Sequence, residues 1–263
     1  VFSSVSPSTS AIVNSANVAY TLSESLASGT VTFNPTGESE DVSYPLVVNL
    51  TGTELNVGGF SGPLTNAPTL VDGDIYSISF DGVDFGGNAA TMVTSNSVTY
   101  DVTTPVISSV NPATSATVNS ANVAYTLSEA FASGTVTYTR TGGSADASSP
   151  HVVNLVGGEL NAGSFSGALA NAPTLVDGAI YSVSFAGVDL GGNAATAVTS
   201  TAITYDITAP VIASVGPATS ATVNSANVAY TLSEAFASGT VTYTRTGGSA
   251  DGSSPHGINL VGA

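Results

Sequence analysis

The chain has no cysteine, no tryptophan and no lysine, one methionine, and only two cations, Arg140 and Arg245, in 263 residues. Without cysteine there can be no disulfide framework, thiolate zinc site, iron–sulfur cluster or thiol nucleophile. Without lysine, neither Schiff-base chemistry nor a Lys–Asn isopeptide cross-link can form. Two arginines against 18 carboxylates leave a formal charge of −16, the wrong sign for binding a phosphate backbone, so no nucleic-acid partner is expected. No run approaches about 18 consecutive apolar residues, so no segment is expected to enter a membrane. Val1 is not followed by a charged stretch and an apolar run, so a signal peptide is expected to have been removed or to lie outside the sequence.

Charged residues make up 8% and hydrophobic residues 42% of the chain, the reverse of a disordered acidic tail, so the chain should fold. Its polarity comes from 38 Ser and 34 Thr. With Val, Thr, Tyr and Phe abundant and helix formers scarce, the composition favours strands.

Self-similarity sets the organisation. Val1-Phe-Ser-Ser-Val-Ser-Pro7 returns as Val106-Ile-Ser-Ser-Val-Asn-Pro112 and as Val211-Ile-Ala-Ser-Val-Gly-Pro217, a period of 105 residues. Tyr20, Tyr125 and Tyr230 keep this offset, as do Glu24, Glu129 and Glu234, and Asp101 and Asp206. The reading is two whole repeats, 1–105 and 106–210, and the first half of a third, 211–263, which matches 106–158 at 47 of 53 positions. A unit of this length is a domain with its own core rather than a solenoid turn. Near-identical copies suggest a piece of a longer array.

In the second repeat, strand signals occur at 106–110, 121–127, 134–140, 151–156, 163–169, 180–188 and 195–205, separated by Gly, Pro, Asn, Ser and Asp. Val123, Tyr125 and Leu127 alternate on one face, as do Tyr181, Val183 and Phe185. Roughly seven short alternating strands per repeat predict an all-β fold of tandem immunoglobulin-like antiparallel sandwiches. Asp177-Gly178-Ala-Ile-Tyr181 and its counterpart from Asp72 to Tyr76 are similar to a tyrosine corner, with one more intervening residue than is usual.

Taken together, Tyr125-Thr-Leu-Ser-Glu129, Asp177-Gly-x-x-Tyr181, Val188-Asp-Leu-Gly-Gly-Asn193 and Thr204-Tyr-Asp-Ile-Thr-Ala-Pro210 resemble the bacterial Ig-like tandem repeats of large extracellular surface proteins and adhesins. The resemblance implies an extracellular stalk of beaded sandwiches, often with calcium at the junctions, and names no ligand. In such a sandwich the incoming linker and the loops after the second and sixth strands share one end. For the second repeat those places hold Asp101, Glu129, Asp189 and Asn193, an oxygen-rich set suited to Ca²⁺, which takes about six to eight oxygen ligands. The first repeat offers Glu24, Asp84 and Asn88, with Asp81 where the second has Ala186. The third offers Asp206 and Glu234. Asp-x-Gly-Gly-Asn is equally an ordinary polar turn in which Gly and Asn supply positive φ. The charge balance favours the metal, because acidic beads placed end to end repel one another.

Pro105 and Pro210 make each linker short and semi-rigid. His151 and His256 share one position, which is Leu46 in the first repeat, so no catalytic role is expected for them. Arg140 and Arg245 are expected to pair with Asp146 and Asp251. Asn49-Leu-Thr51 is a glycosylation sequon in the first repeat alone. No nucleophile elbow or nucleotide loop is present, so no enzyme is expected. The expected function is structural: stalk, spacer or filament body of a surface adhesin or secreted fibre, whose partners are neighbouring repeats or copies of itself. A filament subunit joined by strand exchange is an alternative. So is a carbohydrate-binding module using Phe60, Phe165, Phe131 or Phe236, and a glycan or cell-surface ligand could also be held by other segments.

Overall fold

The computed structural model of the chain describes residues 1–36 and 45–260. It is an all-β protein of tandem sandwiches. In the first repeat the strands are β1 (Phe2–Ser6), β2 (Ile12–Val13), β3 (Val18–Leu22), β4 (Leu26–Pro35), β5 (Leu46–Asn49), β6 (Gly58–Gly62), β7 (Ile75–Asp84) and β8 (Val93–Tyr100). The second repeat follows the same course with β9 (Ile107–Asn111), β10 (Thr117–Val118), β11 (Val123–Leu127), β12 (Phe131–Gly143), β13 (His151–Asn154), β14 (Gly163–Gly167), β15 (Ala179–Asp189) and β16 (Val198–Tyr205). Each repeat forms a three-stranded sheet, β1-β3-β6 or β14-β11-β9, and a five-stranded sheet, β2-β8-β7-β4-β5 or β10-β16-β15-β12-β13.

The additional strand relative to the sequence expectation is the two-residue β2 or β10. It pairs in parallel with the last strand, Val13 with Tyr100 and Val118 with Tyr205. Such a short edge carries too little alternation to be read from sequence. β12 runs three residues past each end of the expected strand because β15 pairs with it from Phe131 to Gly143.

Alternation does place the core. Val123, Tyr125 and Leu127 of β11 face Val136 and Tyr138 of β12, and Tyr181, Val183 and Phe185 of β15, all buried. The first repeat has its own core around Tyr20, Phe33, Tyr76 and Phe80. Phe2 meets Tyr20 edge-on at 5.3 Å, a favourable aromatic geometry. The tyrosine corner closes despite its longer spacing. The hydroxyls of Tyr76 and Tyr181 accept the N–H of Val71 and Val176 at 2.9 and 3.0 Å, five residues upstream.

A short 3-10 turn in each repeat, Gly52–Leu55 and Gly157–Leu160, carries a buried carboxylate that the sequence reading did not single out. Glu54 accepts the N–H groups of Thr51 and Thr65 at 2.7 and 2.6 Å, and Glu159 those of Val156 and Ala170 at 2.8 and 2.6 Å. Burial alone would raise the Glu54 pKa, but the bonds from Thr65 and Thr51 outweigh it and hold the carboxyl below its usual value.

The chain divides into two compact units, Val1–Asp206 and Ile207–Ala263. The second unit contains two antiparallel pairs: β17 (Ile212–Gly216) with β18 (Ala229–Leu232), and β19 (Gly239–Tyr243) with β20 (His256–Leu260).

Candidate metal centre at the first junction

The linker between the first two repeats is tied to the first repeat at two points. Asp101 donates its N–H to Val13 O at 2.9 Å, which fixes it beside the end of β2. Asp72, in the loop before β7, accepts the N–H of Val102 at 2.8 Å and the hydroxyl of Thr103 at 2.7 Å. Those two bonds hold the Asp72 carboxyl below its usual pKa. The sequence reading placed Asp72 only in the tyrosine corner. Its second role, tying the outgoing linker to its own repeat, follows from β8 ending beside that loop.

Across the junction, Asp101, Glu129 and Asp189 bring one carboxylate oxygen each to within 4.8 Å of one another. They come from the linker, the turn after β11 and the end of β15, as the shared-end topology requires. Asp189 is buried at 1% exposure, while Asp101 and Glu129 are half-buried. Burial, followed by the charges of Asp101, Asp189 and Asp72, pushes the Glu129 carboxyl above its usual pKa. Three crowded carboxylates are a hard-oxygen donor set of the kind Ca²⁺ takes, and a divalent ion there would relieve the crowding that raises Glu129.

Asn193 lies in this cluster with its oxygen turned away. Its amide nitrogen donates to Asp189 Oδ2 at 3.0 Å and to Asp101 O at 2.9 Å, and its backbone N–H donates to Asp189 Oδ1 at 2.8 Å. Its Oδ1 accepts from Asn14 Nδ2 at 3.3 Å. In this geometry Asn193 braces the carboxylate rather than adding an oxygen ligand. The residues that fit the ion are Asp101, Glu129 and Asp189.

The other sequence candidates are placed differently. In the first repeat, Asn88 braces Asp84 through its backbone N–H and its amide, both at 2.8 Å. The Asn88 amide, then its N–H, lowers the Asp84 pKa. Glu24 is exposed, and among the described residues no third carboxylate joins it and Asp84. Asp81 points off the sheet and accepts the N–H of Gly82 at 2.8 Å. Asp206 closes the first unit, its N–H bonded to Val118 O at 2.9 Å, and Glu234 belongs to the second unit.

The expected Arg–Asp pairs do not form. Arg140 donates through Nε to Ser144 O and through Nη2 to Gly143 O, both at 2.6 Å. The Gly-Gly turn curls the chain back beneath the guanidinium, and Arg245 repeats the arrangement with Ser249 and Gly248. Asp146 is left to His151 Nε2 at 2.6 Å and the Tyr181 hydroxyl at 2.7 Å. The hydrogen bond from His151, then that from Tyr181, holds Asp146 at a pKa of about 2. Three of the four aromatic candidates for a sugar platform also pack inward, and Phe236, in the second unit, is half-buried. Phe60 and Phe165 stack on Tyr20 and Tyr125 at 5.3 Å, and Phe131 is buried.

No family model matches the chain, and no curated protein matches it. Several solved structures are similar at low identity. The first to third fibronectin domains of chicken CNTN1 are 14% identical, with a TM-score of 0.40 over 78% of this chain and 67% of that one. The fibronectin(III)-like modules of Clostridium thermocellum CbhA are 12% identical, with a TM-score of 0.41 over 78% and 94%. A tetra-tandem repeat from the extending region of a large adhesion protein is 22% identical, with a TM-score of 0.29 over 96% of this chain and 61% of that one.

Proposed function

We propose that the chain is a non-catalytic spacer, a stalk segment of an extracellular surface protein of the bacterial adhesin kind, stiffened by calcium at its repeat junctions. The observation that carries this reading is the pinned junction. Asp72 ties the linker to the first repeat while Asp101, Glu129 and Asp189 gather carboxylates from both sides of it. A hinge meant to move would not anchor two successive linker residues. A rod of acidic beads gains both charge relief and stiffness from a divalent ion. Its partners in this role are neighbouring repeats. No helix among the described residues is long and apolar enough to cross a membrane.

Thermal melts of the chain in excess EGTA and in millimolar calcium test the ion. At a hundred times its Kd, a ligand that binds only the folded state stabilises it by about 2.7 kcal/mol. The expected result is a rise in midpoint that Asp101→Ala and Asp189→Ala each abolish. Equal midpoints with and without calcium would remove the ion from the reading.

A second reading, assembly by strand exchange, is favoured by one feature of the unit 207–263. Ile212, Val215, Val228, Tyr230, Val241 and Leu260 line an open apolar cleft. Tyr125, the counterpart of Tyr230, is 2% exposed, whereas Tyr230 is 37% exposed. A segment patterned like β14–β16, from the same chain or from another copy, would cover this face. Concentration-dependent association measured by sedimentation would support exchange between copies, and a monomer at all concentrations would count against it.

A further inference from the structure

We infer that Asn14 and the loop Gly191-Gly192-Asn193 form an ion-independent interlock that fixes the angle between consecutive repeats, the loop fitting the outgoing end of a repeat of its own kind. This deepens the stalk reading and rests on it. Asn14 follows β2, whose parallel pairing with β8 sets it beside Asp101 at the outgoing end of the first repeat. The Asn193 side chain spans the junction, accepting from Asn14 Nδ2 at 3.3 Å and donating to Asp101 O at 2.9 Å. Every bond in this bridge is neutral to neutral, or neutral to backbone, so none needs a cation.

The loop comes too close for side chains. A Cβ on Gly191 would lie 3.1 Å from Asp101 O, and one on Gly192, at φ +94°, would lie 3.3 Å from Asn14 Nδ2. The first repeat has the same loop, Gly86-Gly87-Asn88. There a Cβ on Gly87, at φ +83°, would meet nothing within 4 Å. Both loops need glycine for their own backbone, since a Cβ on Gly86 would lie 3.0 Å from Asn88 Nδ2 and Gly87 and Gly192 share a positive φ; what sets the second loop apart is the neighbour it meets, the Asn14 and Asp101 end. Asn119 and Asp206 stand at those two positions one period later. Each of the two whole repeats therefore carries a plug at one end, and its outgoing end has the residues of a socket.

Because the chain lacks cysteine, Val47→Cys and Val152→Cys, on the exposed valines of β5 and β13, place one spin label on each repeat. The inter-label distance distribution is measured in EGTA on the full chain. The parent should give a narrow distribution. Asn14→Ala and Asn193→Ala should each broaden it, raising the unlocked population about tenfold, the loss expected for a hydrogen bond or two. Asn88→Ala, in the unengaged loop, should leave it narrow. Asn14→Ala keeps the test valid if Asn193→Ala also loosens Asp189. A narrow parent that stays narrow in both variants overturns the interlock and leaves the stalk intact. A parent that is broad in EGTA and narrows only with calcium overturns it in favour of the ion. A parent broad under both conditions overturns the stalk reading as well.

Discussion

The loops Asp84–Asn88 and Asp189–Asn193 are the same motif in two settings. Internally they match, each asparagine capping its aspartate through backbone and amide. Outwardly they differ. Asp189 is buried and gathered with Asp101 and Glu129, whereas Asp84 is half-buried and Glu24 is exposed. Phe85 is 81% exposed, and its counterpart Leu190 is 56% exposed. The motif builds the turn in both places, and at the second the Asp101 end of the preceding repeat adds a further carboxylate beside it. In this chain the Asp189–Asn193 loop meets Asn14 and Asp101, and the Asp84–Asn88 loop meets no such end among the described residues. The unit 207–263 makes the same point for the core, since its nearly identical sequence leaves exposed the residues that β14–β16 cover in the second repeat.

The largest expected effect sets the covered core against the open one. Tyr125→Ala removes a buried ring that stacks on Phe165 and donates to Glu159 O, and should cost about 4 kcal/mol in urea unfolding of the second repeat. Tyr230→Ala, at an exposed position, should cost less than about 1 kcal/mol. Equal losses would mean that the open cleft is covered in solution. Next is the calcium response, which should survive Asp84→Asn and vanish with Asp189→Asn, a difference of about 2.7 kcal/mol at saturating ion. A response lost in both variants would show that the two loops are functionally alike.

The buried carboxylates should make the first two repeats behave alike. Glu54→Ala and Glu159→Ala each strand two backbone N–H groups, and each should cost its own repeat about 2 kcal/mol. A loss confined to one repeat would break the equivalence. The smallest effect concerns Glu129. Its pKa is raised on folding, so its contribution to stability is present in acid and is lost as pH rises through the folded value. In EGTA at neutral pH, Glu129→Gln should therefore raise the melting midpoint slightly, by less than about 1 kcal/mol for so accessible a group, and should remove the calcium response. A lower midpoint would show that Glu129 gains more from its surroundings than crowding costs it. Asp146 has the opposite sign. Its lowered pKa means that the clasp to His151 and Tyr181 holds above the usual aspartate range and fails as pH falls from about 4 to about 2.

Sequence alone determined seven of the eight strands in each whole repeat, the 105-residue period, the core-facing residues of β11 and β15 and the closing tyrosine of each corner. Those follow from alternation and periodicity, which are local and recur along the chain. Shared-end topology also brought Asp101, Glu129 and Asp189 together on paper, because loop position in a sandwich follows from strand order. Tertiary structure alone decided how each group spends its hydrogen bonds. Asn193 turns its amide nitrogen to Asp189, as Asn88 does to Asp84, but only packing decided that its oxygen would meet Asn14 of the preceding repeat. Arg140 takes the carbonyls of Gly143 and Ser144, which its own turn brings within reach, while Asp146 goes to His151 and Tyr181. Glu159 is buried because the chain around Ala170 supplies the N–H it needs. A donor can satisfy only the acceptor within its reach, and reach across tens of residues is set by packing rather than by spacing along the chain.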